Sequence, residues 1–278
     1  MERVRFLDED LDRPVKVQVS RPGTSVPLLR AGVTVGETRV PDATFLVRTL
    51  KEFFRRRDAQ IDLVVHPLVG VEVENGRVAR IDPRGERGKI LSHVYLHVTR
   101  IAEEDFETVR TSLEYRLRAV LRVNADFQGS LARLAKVRES LVALGKARRT
   151  SAEEAAEAVE LVDWIANQNF IFLGYAHCTL GGGRPRMDDL LGLLTIDGEK
   201  ELLELAGVIA AGRLERDEIV SFYRTDIVSV VKAESQIRYV GFKAYDEEGA
   251  SAGEHVFLGI LSSNSRGERN SRIPIIAK

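Results

Sequence analysis

The sequence predicts an α+β protein made of two antiparallel-sheet domains joined by a helical linker. Three observations predict it. Between residues 31 and 124 the alternation of β-branched residues gives way to helical spacing and returns; from Ala125 to Gln168 the spacing is helical throughout; and past Asn169 short strand-like runs resume around one brief helix. A chain of 278 residues, 44% hydrophobic and 30% charged, is long enough for two domains that each bury a core.

Residues 1–30 carry Pro14, Pro22, Gly23 and Pro27 and read as a lead-in with at most one strand near Val15–Val19. The first domain spans residues 31–124. "GVTVGETRV" alternates as a half-buried strand and ends at Pro41, and Asp42 is placed to cap a helix through "ATFLVRTLKEFFRRR". Phe45, Leu46, Thr49, Leu50, Phe53 and Phe54 form one apolar face of that helix. Arg55, Arg56 and Arg57 fall in its last turn, where cations oppose the negative end of the helix dipole. "IDLVVHPLVGVEVENGRVARI" reads as one long strand turning at Asn75-Gly76, "GKILSHVYLHV" as the next strand, and Phe106, Val109, Leu113, Leu117, Val120 and Leu121 as the stripe of a second helix. This order suits a ferredoxin-like two-layer domain with helices on one sheet face, leaving the other face for a second copy or a neighbouring domain.

The linker, residues 125–168, holds one helix with Phe127, Leu131, Leu134 and Leu141, and a second that opens at the "SAEE" capping box and carries Ala155, Val159, Val162 and Ile165. The second antiparallel α+β domain spans 169–278. Its strand-like runs are "NFIFLGYAHCTL", "LLGLLTI", "EIVSFY", "IVSVVKA", "IRYVGFKAY" and "GEHVFLGILSS", with a helix near "KELLELAGVIAAG". The glycine-rich "GGGRPR" joins two strands without a following Lys-Ser or Lys-Thr and reads as a hairpin loop rather than a phosphate cradle.

Several function classes are disfavoured. A net charge of −1 from 41 basic and 42 acidic residues gives no long-range attraction to nucleic acid or to an anionic membrane. The charged start "MERVRFLDED" lacks a signal-peptide core, and no apolar run approaches the roughly 18 residues of a membrane span, so a cytoplasmic protein is expected. Cys178 is the single cysteine, which excludes an intrachain disulfide, and its neighbour His177 projects to the opposite face of a strand. His93 and His97 share a strand face with Tyr95 but sit about 13 Å apart at a strand's rise, too far to share one ion easily. His66, before Pro67, reads as a hydrogen-bonded structural histidine. Adjacent in a strand, Glu254 and His255 project to opposite faces and cannot act together on one substrate. The chain lacks GxGxxG, GxxxxGK[ST] and HExxH, so neither a cofactor-binding motif nor a nucleophile and base at usable spacing is visible.

Three separated motifs carry a family resemblance. The first runs through Asp42, Phe45, Leu46, Val47, His66 and Pro67; the second through Trp164, Ile165, Ala166, Asn169, Phe170, Phe172, Leu173, Gly174 and Tyr175. The third comprises Gly241, Lys243, Asp246, Gly249, Gly253, Glu254, His255, Phe257, Leu258 and Gly259, followed by Ile273-Pro274. In order and spacing they resemble the amino-terminal region of the large bacterial NAD-specific glutamate dehydrogenases, over most of residues 40–278. The chain departs from that pattern before residue 30 and between Lys232 and Tyr239, where it is shorter.

The resemblance implies an ACT-like first domain, a second domain that is ACT-like or PAS-like, and a dehydrogenase domain further along the chain. It implies a non-catalytic regulatory and oligomerisation segment of an enzyme that converts glutamate, NAD and water to 2-oxoglutarate and ammonia. NAD then belongs to the full-length parent, with no cofactor in this segment. The implied partners are further copies of itself, the downstream catalytic domain and an amino-acid effector. By analogy with ACT domains the effector falls at the loop of Arg39, Asp42 and Thr44, where a helix amino terminus and a guanidinium suit a carboxylate, although Asp42 as a cap opposes an anion. A stand-alone ACT-like amino-acid sensor is the alternative reading.

Overall fold

The computed structural model describes residues 6, 13–22, 33–75, 77–99, 101–146, 152–181, 184–214, 216–232, 235–246 and 250–263. The chain divides into two compact units, Met1–Leu121 with Val230–Ala233, and Arg122–Ser229 with Glu234–Lys278.

In the first unit β1 (Lys16–Ser20), β2 (Thr34–Pro41), β3 (Ile61–Val65), β4 (Leu68–Glu74), β5 (Arg77–Asp82) and β6 (Lys89–Val98) form one antiparallel sheet in the order β1-β2-β6-β4-β5, with β3 also paired to β6. Helix α1 (Leu46–Arg55) follows β2, and α2 (Phe106–Ala125) follows β6. Thr34, Gly36, Thr38 and Val40 pair with Val98, Leu96, Val94 and Ser92, so these residues share one sheet face. Gly36 on that face approaches the Phe54 ring of α1, which places the helix there. Leu50, Phe53 and Phe54 of α1, Leu113 and Leu117 of α2, and Val94, Leu96 and Val98 of β6 are fully buried. The layout is ferredoxin-like with one rearrangement. The position beside β2 that the last strand of a β-α-β-β-α-β unit takes is held by β1, which precedes β2 in sequence.

Two expectations for this unit are corrected. Asp42 does not cap α1: its backbone N–H bonds Ile90 O at 3.3 Å, so the ladder runs one residue past Pro41 before the chain turns. The helix starts at Leu46, with Phe45 in the cap position at φ 73° and no side-chain cap. The long strand from Ile61 is two strands, broken at His66-Pro67. Proline has no N–H to give the ladder, and His93 N instead donates to Pro67 O at 3.1 Å as β4 resumes pairing with β6. At the Asn75-Gly76 turn Glu74 pairs with Arg77 and Asn75 has φ 52°, while Gly76 lies outside the described residues.

In the second unit β7 (Phe170–Gly181), β8 (Arg184–Gly192), β9 (Val220–Val228), β10 (Gln236–Tyr245) and β11 (Ser251–Leu261) form an antiparallel sheet in the order β8-β7-β11-β10-β9. Counted within the unit this is 2-1-5-4-3, with α5 (Lys200–Leu214) between the second and third strands. This order differs from that of a ferredoxin-like β-α-β-β-α-β unit. One face packs on α3 (Phe127–Lys146) and α4 (Ala152–Trp164): Leu134, Val137, Leu141, Leu161, Val162 and Ile165 meet Phe170, Phe172, Tyr175, Val240, Phe242 and Phe257. The other carries α5, which packs on β7, β8, β10 and β11 through Leu202, Ala206, Ala210 and Arg213.

The end of α4 has a local cause. Gln168 takes φ 60°, which stops the helical run, and Asn169 Nδ2 donates to Trp164 O at 3.0 Å in place of the lost backbone bond. Gly181 pairs with Arg184 across the hairpin expected from "GGGRPR"; Gly182 and Gly183 lie outside the described residues, as do Ser151 of "SAEE" and Ile273-Pro274. "LLGLLTI" is only partly strand, since β8 ends at Gly192 with φ 64° and Leu193–Thr195 form a 3-10 turn. "EIVSFY" and "IVSVVKA" are not two strands: Val220–Val228 is continuous. Among the described residues no helix is long and apolar enough to cross a membrane.

Candidate functional site

Arg39 sits on the face of the first sheet away from α1, paired with His93 across β2 and β6 and with Lys16 across β1 and β2. It is 2% exposed and its Nη2 donates to Arg13 O at 3.1 Å. Asp42 and Thr44 are exposed in the segment that enters α1. On the same outer face His93 Nε2 lies 2.7 Å from Glu37 Oε1 and its ring stacks on Phe6, while Tyr95 packs edge-on to His97. His66 Nε2 pairs with Ser92 Oγ at 2.5 Å, the structural role its position suggested. Among the described residues no group of three or more histidine, cysteine and acidic side chains is placed to hold a metal ion.

The densest polar arrangement lies in the second unit, under α5. Glu254 of β11 is paired with Lys243 of β10 on one side and Cys178 of β7 on the other; Ser221 of β9 is paired with Gly241 of β10. Residues opposite one another share a face, and alternation along β10 adds Tyr239 to this set. Glu254, Arg213 and Tyr239 are 2%, 3% and 0% exposed. Ser221 donates to Glu254 Oε1 at 3.0 Å, and Arg213 Nε, from the last turn of α5, lies 3.8 Å from the same oxygen. Arg213 also donates to the backbone oxygens of Glu218 and Val220 and pairs with the Glu218 carboxylate. Glu254 Oε2, Tyr239 Oη and Arg213 Nε are buried without a hydrogen bond of regular geometry among the described residues.

Burial pushes the Glu254 carboxyl up to about 7, against the pull of Ser221, Arg213, Tyr239 and Lys243. Burial and the neighbouring Glu254 push the Cys178 thiol up to about 11, which makes it a poor nucleophile. Lys243 is held below the usual lysine range, chiefly by burial.

On the opposite face His255 and His177 are cross-strand partners with rings stacked at 4.9 Å. His255 Nδ1 lies 2.9 Å from Tyr175 Oη. Burial and the adjacent His177 push His255 down to about 4, so it is neutral near neutral pH. Gly253 makes room for this pair, because a Cβ there would lie 2.8 Å from His177 Nε2. Glu254 and His255 therefore do face opposite sides of the sheet.

Sequence reasoning singled out Glu254 but missed Arg213, Ser221 and Tyr239. Arg213 directly follows the predicted helix and looks like a solvated cation, and only the strand order reveals that it lies over Glu254. The available signal was Glu254 itself, which shares an alternation with Val256 and Leu258, both buried.

Residues 1–113 match the family model described as "Glutamate dehydrogenase, ACT1 domain". The chain is 28% identical over 288 residues to an NAD-specific glutamate dehydrogenase of Pseudomonas aeruginosa, covering 96% of this chain and 17% of that protein. It is 24% identical over 251 residues to an NAD-specific glutamate dehydrogenase of Halomonas elongata, covering 85% of this chain and 16% of that protein. The chain thus spans about a sixth of the length of these relatives.

Proposed function

We propose that this chain is the amino-terminal, non-catalytic region of an NAD-dependent glutamate dehydrogenase, and that it supplies subunit contacts and effector control to a catalytic domain beyond it. The observation that carries this reading is the match of residues 1–113 to the glutamate dehydrogenase ACT1 model within a similarity that covers 96% of the chain. The fold supports it, since every strand ladder among the described residues is antiparallel, unlike the parallel strand–glycine–helix unit that takes a dinucleotide. NAD and glutamate then belong to the complete enzyme. Self-association uses the β3 end of the first sheet's outer face, where Leu63 and Val65 are 42% and 44% exposed, the β2 and β6 part of that face being largely buried within the chain. The effector is placed at the entry to α1, where Asp42 and Thr44 are exposed, while Arg39 of β2 is buried. The purified chain, given glutamate and NAD, is expected to form no NADH; a glutamate-dependent rise in NADH absorbance would overturn the reading.

A further inference from the structure

In the second unit a groove of about 510 Å³ runs between α5 and β9, the end strand of the sheet. Leu205, Val208 and Ile209 of α5 form its apolar wall, and Glu201, Glu204 and Asp226 its acidic rim. We propose that this groove takes an extended peptide from another polypeptide, which adds to β9 as a further strand and turns lysine or arginine, alternating with an aliphatic residue, toward α5.

The backbone of β9 sets the shape of the occupant. Among the described residues β9 pairs on one side alone, with β10. The two edges of the sheet differ. β8 reads RPRMDDLLG, with four charged residues and with Pro185, which has no N–H to offer a further strand, the usual protections of an edge. β9 reads VSFYRTDIV, without proline and with two charged residues, and its Tyr223 and Val228 are exposed. Its register with β10 shifts between Arg224 and Val228, a bulge that bends the strand where it lines the groove. A row of N–H and C=O groups at a sheet edge is matched by an extended backbone, not by a helix or a small molecule.

The walls set its side chains. α5 is apolar on two faces: Leu202, Ala206 and Ala210 are buried against the sheet, while Leu205, Val208 and Ile209 stand on the groove side, with Val208 67% exposed. A helix apolar all round is ordinarily covered all round. The rim calls for cations, since Glu201, Glu204 and Asp226 are exposed and no ion pair engages them among the described residues, whereas Arg224 is held by Gln236 Oε1. The spacing fits as well. Glu201 and Glu204 each stand four positions before an apolar groove residue, Leu205 and Val208, which is about 6 Å along the helix. Alternate residues of a strand are about 6.6 Å apart, so a basic and an aliphatic residue two positions apart meet an acid and its apolar neighbour together.

The inference uses the second unit alone and rests on none of the residues given assembly or effector roles above. The test measures fluorescence anisotropy of the labelled peptide TKTVTKT on the purified chain at low salt, with TETVTET as the charge-reversed control. The groove-facing Lys-Val-Lys of the first peptide reads the same in either direction. It is expected to bind saturably and to weaken as salt rises, and the glutamate peptide is expected not to bind. Methylating the backbone nitrogens of one alternate set of peptide residues should abolish binding while methylating the other set leaves it, because one edge of an added strand faces β9. Val208→Asp should weaken the peptide by on the order of tenfold, and Glu204→Lys by about fivefold. Arg138→Ala in α3, which packs on the other face of the sheet, leaves binding unchanged. Val208 and Glu204 are exposed, and the peptide-free Tm of each variant reports folding separately. No binding of TKTVTKT, equal binding of TETVTET, binding indifferent to both groove variants, or equal losses from the two methylated sets would overturn the proposal. So would loss of self-association in Val208→Asp, which would give the groove to a second copy of the chain.

Discussion

The carboxylate of Glu254 occupies the space that a side chain at Gly241 would need: a Cβ at Gly241 would lie 1.8 Å from Glu254 Oε1 and 2.5 Å from Ser221 Oγ. The glycine is thus required by the packing of an acid and not by backbone conformation, as it sits inside β10 within a regular ladder. Gly241→Ala must displace Glu254 from its contacts with Ser221 and Arg213. It should destabilise the second unit by about 1–3 kcal/mol, in the usual range for overpacking. Denaturant titration checks this: the midpoint falls while the slope stays constant. An unchanged midpoint would contradict the packing.

Glu254 and His255 should give opposite dependences of stability on pH. The Glu254 carboxyl is raised from 4.5 to about 7 in the folded chain, so between those values the folded state holds a proton that the unfolded state has released, and stability falls as pH rises. His255 is lowered from 6.5 to about 4, so between those values the unfolded state holds the extra proton, and stability rises with pH. The two effects offset each other between about 4.5 and 6.5. Relative to the parent, Glu254→Gln should therefore make the slope of stability against pH more positive in that window, and His255→Asn more negative. Parallel pH profiles for both variants would count against these burial effects.

Arg39 and Asp42 should separate in stability although they are near neighbours in sequence. Arg39→Ala removes a buried guanidinium whose Nη2 bonds Arg13 O, and should cost about 1–3 kcal/mol. Asp42→Ala should stay within about 0.5 kcal/mol, because the side chain is exposed and caps no helix. A loss near 1 kcal/mol on Asp42→Ala would restore the capping role.

These cases also mark what could be read from the sequence. The alternation in "GVTVGETRV" was legible from its β-branched residues, although β2 is buried on both faces, and the stripe of Leu113 and Leu117 was legible from its helical spacing. The break at Pro67 was visible as a residue without an N–H, but its effect depended on β6 pairing with both halves. The capping role of Asp42 was misread because the helix starts only at Leu46, with Phe45 in the cap position, while Asp42 still belongs to the ladder through its bond to Ile90. Arg213 went unnoticed because its partner Glu254 comes from another element, and only the 2-1-5-4-3 strand order brings β11 beneath α5. The opposed directions of Glu254 and His255 were legible because they follow from strand geometry alone.

Sedimentation velocity of the purified chain at rising concentration tests the proposed assembly role most directly. Dimers or larger species are expected, and Leu63→Asp with Val65→Asp should yield monomers that keep the parent Tm, since both residues lie exposed on the outer face of the first sheet rather than in its core. A chain that stays monomeric at every concentration, or an assembly indifferent to both substitutions, would contradict it.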